Sequence, residues 1–270
     1  MRFPSRTLIR LAGPDTIAML ERTVTNSVTD WAEGAMRYGA LLTPQGKVIA
    51  DYLALRTDDG VLLDVHEDAA EDLMKRLKMF RLRAAVDISV DDMRAAVILG
   101  DRNGDPRSTD LPGRAYVAVT EAGEPLAEAE WCARRIAAGV PEWGADYRAA
   151  EVFPTDINMD QMGGVDYKKG CFVGQEVASR MKRRGKIRKR TLTVRGEALE
   201  AGADIFAAAP VGTITSVEGQ AGLALVRTDR LQAALDQSRP LTCNDQPVHF
   251  DLPGWADAEM RALAEEASGE

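Results

Sequence analysis

Lys168-Lys169-Gly170-Cys171-Phe172-Val173-Gly174-Gln175-Glu176 sets one cysteine on a glycine-flanked turn among lysines. Directly behind it, Gln175 to Met181 has helix-forming composition. Gly170 and Gly174 open backbone conformations closed to other residues. The stretch predicts a turn that delivers Cys171 near a helix N-terminus, and a thiol there, beside Lys168 and Lys169, favours its thiolate form. A buried, inert cysteine is the competing reading of the same composition. Gln175 and Glu176 fall in the first predicted turn, where their side chains can bond free backbone N–H groups and hold the motif in shape. Arg180, one turn on, can pair with Glu176.

The chain around this motif has 270 residues, of which 45% are hydrophobic, enough to bury a core and to hold two domains. No apolar run approaches the ~18 residues of a membrane span, and the composition predicts a soluble, globular protein without a membrane partner. Arg2, Arg6 and Arg10 precede the first acid, Asp15, a spacing also found in transit peptides. Thr7 to Leu11 alternates like a strand, however, and the segment is read as structure. The three cysteines, Cys132, Cys171 and Cys243, are far apart and odd in number, which suits a reducing compartment and predicts a cytoplasmic protein. With two histidines, His66 and His249, and no paired ligand spacing, a complete intrachain zinc or iron-sulfur ligand set is not expected.

Charge is unevenly spread. Between Lys168 and Arg190 lie ten basic residues and one acid, Glu176, a local charge of +9 in a chain of net −8. The densest part, Lys182 to Arg190, could attract a polyanion such as RNA or the glutamate tail of a folate, or could be a solvated linker.

Periodicity predicts an α+β start. Strands are expected at Thr7 to Leu11, Met36 to Thr43, Val48 to Arg56, Val61 to Val65, Val86 to Val90, Ala95 to Leu99 and Tyr116 to Val119. Helices are expected at Thr16 to Arg22, capped by Asp15, at Glu67 to Phe80 and at Leu126 to Ala138. Pro44-Gln45-Gly46-Lys47 reads as a hairpin turn. Gly139 to Asp166, rich in Gly, Pro, Asp and Asn, predicts a long irregular segment of the kind that carries sites. After Arg190 the pattern becomes short strands only, at Thr191 to Arg195, Val211 to Val217, Gly222 to Arg227 and Gln246 to Phe250, a small barrel or sandwich. Trp255 to Glu270 is expected to be a surface helix or frayed end. The expected division is an α+β region over 1–188, a barrel over 189–252 and an acidic tail over 253–270.

Lys169-Gly170-Cys171-Phe172-Val173-Gly174-Gln175-Glu176 resembles the K-G-C-[YF]-x-G-Q-E signature of the YgfZ family. Leu41-Leu42-Thr43-Pro44-Gln45-Gly46-Lys47 with Asp51, Arg135-Ile136-Ala137-Ala138-Gly139-Val140-Pro141 and Val211-Gly212-Thr213-Ile214-Thr215-Ser216 extend the likeness from about Leu8 to Phe250. The family is similar to the glycine cleavage T protein, a tetrahydrofolate-dependent aminomethyltransferase. The resemblance implies α+β domains around a central folate pocket, followed by a C-terminal β-barrel. It further implies a tetrahydrofolate derivative as cofactor, a transient iron-sulfur cluster, iron-sulfur assembly or client proteins as partners, and indirect support of tRNA modification. Cys171 and Asp51 are its implied chemical residues; Asn26, Trp31, Asp51 and Arg180 are the implied folate contacts.

Each of these has a plainer reading. Asn26 can serve its own turn, Asp51 can be a surface acid on an edge strand, and Trp31, like Trp131, Trp143 and Trp255, can simply be packed in a core. The chain also departs from its relatives. The T protein's Arg-Leu-Glu-Ala-Gly becomes Arg135-Ile136-Ala137-Ala138-Gly139, and alanine cannot accept the two N–H donors of a pterin edge. Leaving those donors unpaired costs roughly 1–3 kcal/mol. The acidic pair becomes Ala50-Asp51, Phe172 replaces the commoner tyrosine, and Ser27 replaces an aspartate. Three functions follow in order: a folate-binding iron-sulfur assembly factor, a one-carbon transferase using Asp51, and an RNA-binding module over Lys182 to Arg190.

Overall fold

A computed structural model describes residues 1–99, 105–183, 187–256 and 258–261. The chain forms two compact units, one made of Met1–Trp131, Arg148–Pro154 and Met159–Ser179, the other of Cys132–Tyr147, Thr155–Asn158 and the chain from Arg180 onward.

In the first unit, β1 (Arg6–Ala12), α1 (Thr16–Glu21), β2 (Met36–Leu42), β3 (Val48–Arg56), β4 (Gly60–His66), α2 (Glu67–Arg81) and β5 (Asp87–Val90) build an antiparallel sheet of order β2-β3-β4-β1-β5. A second pair, β6 (Arg94–Leu99) and β7 (Gly113–Ala118), forms its own two-stranded sheet. The N-terminal arginines belong to this fold: Arg6 pairs with Asp64 and Arg10 with Asp59. Asp15 does not cap α1; its carboxylate instead accepts from the Ala85 N–H at 2.7 Å.

Register decides which residues of the large sheet share a face. Tyr38 lies opposite Leu53, Ala40 opposite Asp51, and Leu53 opposite Asp64, so Tyr38, Asp51 and Asp64 all project from one side. The other side, with Ile9, Leu11, Leu41, Val61 and Leu63, is apolar and fully buried.

Two buried carboxylates of this unit, Asp64 on the polar side and Asp105, are paired with arginines. Asp64 accepts from Arg6 Nε at 2.6 Å, Arg114 NH1 at 2.6 Å and Tyr116 Oη at 3.2 Å. Asp105 takes both a bidentate pair from Arg107, at 2.8 and 2.7 Å, and a longer contact from Arg114 at 3.4 Å. The Arg114 guanidinium stacks 3.7 Å from the Phe3 ring centroid, and Phe3 in turn meets Trp131 edge-on.

α3 (Glu128–Ala137) and α4 (Gln175–Arg183) each run from the first unit into the second. Between them, 138–174 carry no helix or strand of the named elements, as the composition predicts. In the second unit β8 (Lys189–Gly196), β9 (Asp204–Phe206), β10 (Pro210–Glu218), β11 (Ala221–Arg227), β12 (Thr242–Cys243) and β13 (Gln246–Asp251) close a barrel of order β10-β11-β8-β13-β12-β9. Its core includes Leu192, Val194, Ile205, Ile214, Val226 and Val248.

One expectation is corrected here. The barrel is not strand-only, because α5 (Thr228–Asp236) buries Leu231 and Ala234 in that core. The described part of the tail is helical at 254–256 and 258–261, with Ala258 and Arg261 exposed as expected of a surface helix, while Ala256 and Met260, each 1% exposed, are buried in the same core. Residues 262–270 lie outside the described residues.

Burial alone would raise the pKa of Asp105, but Arg107 and then Arg114 pull it down to about 2. Burial likewise raises Asp64, and Arg6 and Arg114 outweigh it and hold the group below the usual carboxylate value. A carboxylate depressed in the folded state contributes stability above its unfolded pKa, near ~4, and loses that contribution as pH falls through the folded value. Urea denaturation is therefore expected to show about 2 kcal/mol from Asp105 disappearing between pH ~4 and ~2. Asp64→Asn, which leaves Arg6 and Arg114 against a neutral amide, is expected to cost about 3 kcal/mol at pH 7. Unchanged urea midpoints would contradict both.

Candidate functional site

The candidate site of the first unit grows from the loop after α1. Thr25 is fully buried and stitches that loop to two other segments. Its hydroxyl donates to Gly164 O at 2.7 Å and accepts from Ala40 N at 2.9 Å, and its carbonyl accepts from Asp166 N at 2.9 Å. Asn26 Nδ2 donates to Tyr38 O at 2.8 Å and Gly163 O at 2.9 Å. Its two N–H donors are thereby committed to the backbone. Close packing reinforces the seam, since a Cβ on Gly164 would stand 2.7 Å from the Tyr38 ring.

From Asp166 the chain enters the thiol motif. The Asp166 carboxylate accepts from Lys168 N at 2.8 Å and Lys169 N at 3.2 Å, which folds the turn. The Lys169 side chain is 1% exposed, and its Nζ donates to Val24 O at 2.9 Å and Asn26 O at 2.8 Å, with Glu21 at 3.6 Å. Burial pulls the Lys169 pKa below its usual value, and Glu21 opposes that shift. Phe172 is buried with its ring 5.5 Å from the same ammonium. Cys171, between these two anchors, is exposed, so the buried alternative is excluded. The named helix α4 begins only at Gln175. Lys169, expected beside the thiol, is instead turned inward onto two carbonyls.

Gly174 ends the loop at φ 79°, and a Cβ there would lie 2.5 Å from Thr43 O. Gly46, at φ 80°, likewise faces Val177, with a hypothetical Cβ 3.0 Å from Val177 Cβ. The hairpin turn after β2 and the start of α4 therefore meet glycine on glycine, which is why both motifs need their glycines. Gln175 Nε2 closes the motif by donating to Lys169 O at 3.2 Å.

Beside this cluster stands Asp51, 8% exposed, with Tyr38 on the same sheet face. Burial and then the Asp51 carboxylate push the Tyr38 phenol well above its usual pKa, while Arg107, 5.9 Å from the ring centroid, opposes them. The Tyr38 hydroxyl is buried, and the Asp51 carboxylate is the acceptor that acts on it, outside ordinary hydrogen-bonding geometry. Trp31 is buried at 8% exposure, donates Nε1–H to Ala35 O at 3.0 Å, and has the Arg37 guanidinium 5.6 Å from its ring centroid. Arg180 is exposed on the part of α4 that belongs to the second unit, whereas Asn26, Trp31, Asp51 and Cys171 all lie in the first.

Sequence reading did not single out Tyr38, Thr25 or Asp166. The signal for Tyr38 is present in hindsight: it stands in register two residues before Ala40, which pairs with Asp51.

In the second unit, the segment Arg135 to Pro141 and the strand Val211 to Ser216 meet at one carboxylate. Asp146 accepts from Arg135 NH1 at 2.5 Å and from the hydroxyls of Thr215 and Ser216, each at 2.6 Å. Ala137 is exposed and offers no acceptor. Among the described residues of the basic run, Lys182, Arg188 and Lys189 are exposed, whereas Arg190 is not. Arg190 is fully buried, bidentate to Glu259 at 3.0 and 2.7 Å, and donates to Thr155 O at 2.8 Å. Ile187 is buried too, and 184–186 lie outside the described residues. No support for an RNA contact remains in Arg190.

Comparison with known proteins matches residues 5–100 to the GCVT N-terminal domain family and residues 188–258 to the CAF17 C-terminal beta-barrel domain family. The crystal structure of the glycine cleavage system aminomethyltransferase T from Bartonella henselae superposes with a TM-score of 0.75 at 13% identity, covering 93% of this chain and 84% of that one. The fold is accordingly that of the aminomethyltransferase, mixed α and β with a closed C-terminal barrel.

Among curated proteins, the chain is 29% identical to the mitochondrial iron-sulfur cluster assembly factor IBA57 homolog of Neurospora crassa, over 71% of this chain and 52% of that protein. It is 30% identical to the homolog of Phaeosphaeria nodorum, over 88% and 64%, and 27% identical to human IBA57, over 87% and 79%. The chain thus spans about half the length of the first of these relatives. The cytoplasmic assignment is corrected: these relatives are named mitochondrial, and unpaired cysteines separate reducing from oxidising compartments, not cytosol from organelle.

Two outcomes test the geometry. Lys169→Met strands two buried carbonyls and is expected to cost about 2 kcal/mol in urea denaturation, whereas Lys168→Met, at an exposed position, is expected to stay within ~0.5 kcal/mol. Equal effects would show that Lys169 is not the anchor. Thiol titration of the native protein is expected to find one fast-reacting cysteine, absent in Cys171→Ala. Burial raises the pKa of Cys132, partly offset by Arg135, and burial raises that of Cys243, so both should lag. A fast phase surviving in the variant would refute that order.

Proposed function

We propose that this protein is an iron-sulfur cluster assembly factor of the YgfZ and IBA57 kind, with Cys171 as its cluster-handling thiol and a folate as its small-molecule ligand. The observation that carries the reading is the display of Cys171: an exposed thiol held between two buried anchors, Lys169 and Phe172. One thiol supplies one of the ligands an iron-sulfur cluster takes, so the cluster is shared cargo, completed by thiolates of an assembly or client protein. Support of iron-sulfur enzymes that modify tRNA would follow from that role indirectly.

A folate fits the polar sheet face. The Tyr38 hydroxyl is buried beside Asp51 with no well-formed hydrogen bond, and a ligand amine or ring N–H placed there would meet one acceptor and one donor-acceptor group. A bound reduced folate would supply one-carbon and redox chemistry. Asp51 and Tyr38 would orient it, and the missing carboxylate at Ala137 favours a pterin recognised differently from that of the transferase. The transferase reading keeps one supporting observation, the burial of Asp51, but lacks both the second acid and that glutamate.

Anaerobic calorimetry with tetrahydrofolate is expected to show equal binding by the native protein and Cys171→Ala, and binding weakened about tenfold by Tyr38→Phe. Cluster transfer to an apo [4Fe–4S] acceptor, followed by its absorbance, is expected to be lost in Cys171→Ser. Full transfer by Cys171→Ser would sink the thiol's role. Folate turnover that needs Asp51 but not Cys171 would establish the transferase instead.

A further inference from the structure

A second feature of the first unit lies away from the thiol loop. Between α1 and the turn that leaves α2 is a hollow of about 700 Å³ with Ala18 and Ala84 among its lining residues, and Arg22, Arg81, Leu82 and Arg83 around it. The turn holds a leucine where the backbone suits glycine. Ala84 N donates to Arg81 O at 2.8 Å, and Leu82 sits at φ 51°, ψ −110°, the first central position of a type II′ turn. Glycine dominates that position because a Cβ is strained there. The Leu82 side chain is nevertheless 82% exposed, and Met79, one turn earlier, is 67% exposed. Glycine would relieve the strain and a polar residue the exposure, so neither stability nor solubility accounts for leucine.

The arginines are equally uncommitted. Arg22 NH1 reaches only Ala18 O at 3.4 Å, Arg81 NH1 reaches Val86 O at 3.2 Å, and Arg83 is exposed. Among the described residues none of the three is paired with a carboxylate. The one acid lining the hollow, Asp15, is engaged by the Ala85 N–H at 2.7 Å. Favourable placement at a helix C-terminus explains Lys78 and Arg81, which lie in the last turn of α2. It applies as well to Arg22, the C-cap residue of α1, but explains neither Arg83 nor the leucine.

We propose that this hollow docks an acidic segment of a partner protein that carries an apolar side chain. Its carboxylates would meet Arg22, Arg81 and Arg83, and its apolar side chain would pack on Leu82 and Met79. Charge complementarity selects this occupant: on a chain of net −8, three unpaired arginines around one concavity form a local basin for negative charge. An anionic lipid surface shares the chemistry, but a concave hollow receives a chain segment better than a flat bilayer.

The probe is a fluorescein-labelled peptide of glutamates flanking a central pair of leucines, titrated with the whole protein and read by anisotropy at low salt. Saturable binding is expected, weakened about tenfold in Arg22→Glu and in Arg83→Glu, and weakened when serines replace the peptide leucines. Leu82→Gly is expected to weaken binding similarly while raising the melting temperature by about 2 °C, since glycine relaxes the turn. That combination separates lost docking from lost folding. Absence of saturable binding, equal binding by the variants, or binding to phosphatidylglycerol vesicles with none to the peptide would overturn the proposal.

Discussion

One buried ammonium organises the candidate site. Removing a lysine head group from water costs several kcal/mol unless its donors are matched, so Lys169 fixes the positions of what it bonds. Those partners are Val24 O and Asn26 O, with Glu21 behind them. The loop after α1, the turn that begins at Asp166 and the stretch that carries Cys171 are therefore one assembly. Thr25 ties the same assembly to β2 through Ala40, and Asn26 ties it to Tyr38. A change in any of these three segments strains the other two.

The sheet beneath supplies the other half of the constraint. Its apolar face holds the core, and its polar face is tolerable only because Asp64 and Asp105 are saturated by Arg6, Arg107 and Arg114. Within that arrangement two buried polar atoms lack a well-formed hydrogen bond, the Tyr38 hydroxyl and Arg114 Nε. An unmet polar atom inside an otherwise matched network costs about 1–3 kcal/mol, and such a cost persists where a ligand offsets it. In the proposed reading, the under-bonded hydroxyl beside Asp51 is what makes this face a ligand face.

Much of this was legible in the sequence, for identifiable reasons. Strands β3 and β4 and helix α2 carry long, strongly periodic patterns, and their ends fall within a residue or so of expectation. β9 and β12, with three and two residues, are too short to show a period, yet they close the barrel. α5 was missed because Leu231 and Ala234 make a thin apolar stripe inside a region otherwise patterned as strands. At the site, the glycines of the motif pointed correctly to a tight turn, since φ 79° at Gly174 is a local property of the chain. The destination of Lys169 was not legible. A lysine beside a cysteine reads as its electrostatic neighbour, and only tertiary structure reveals carbonyls more than a hundred residues earlier in the chain as its true partners.

That misplacement bears on what the thiol can do. Nucleophilic catalysis by cysteine needs a base within hydrogen-bonding reach, itself oriented by a third group. Among the described residues no side chain is hydrogen-bonded to the Cys171 thiol, and the nearby lysine's charge is directed elsewhere. What the fold does provide is accessibility and position: Lys169 and Phe172, flanking the cysteine, have buried side chains while Cys171 itself is exposed. Ligand exchange at a metal shared with another protein asks for those two properties, because the metal itself favours the deprotonated sulfur on binding. The geometry of the loop therefore suits a thiol whose activating group arrives with its partner, and suits poorly one expected to act alone.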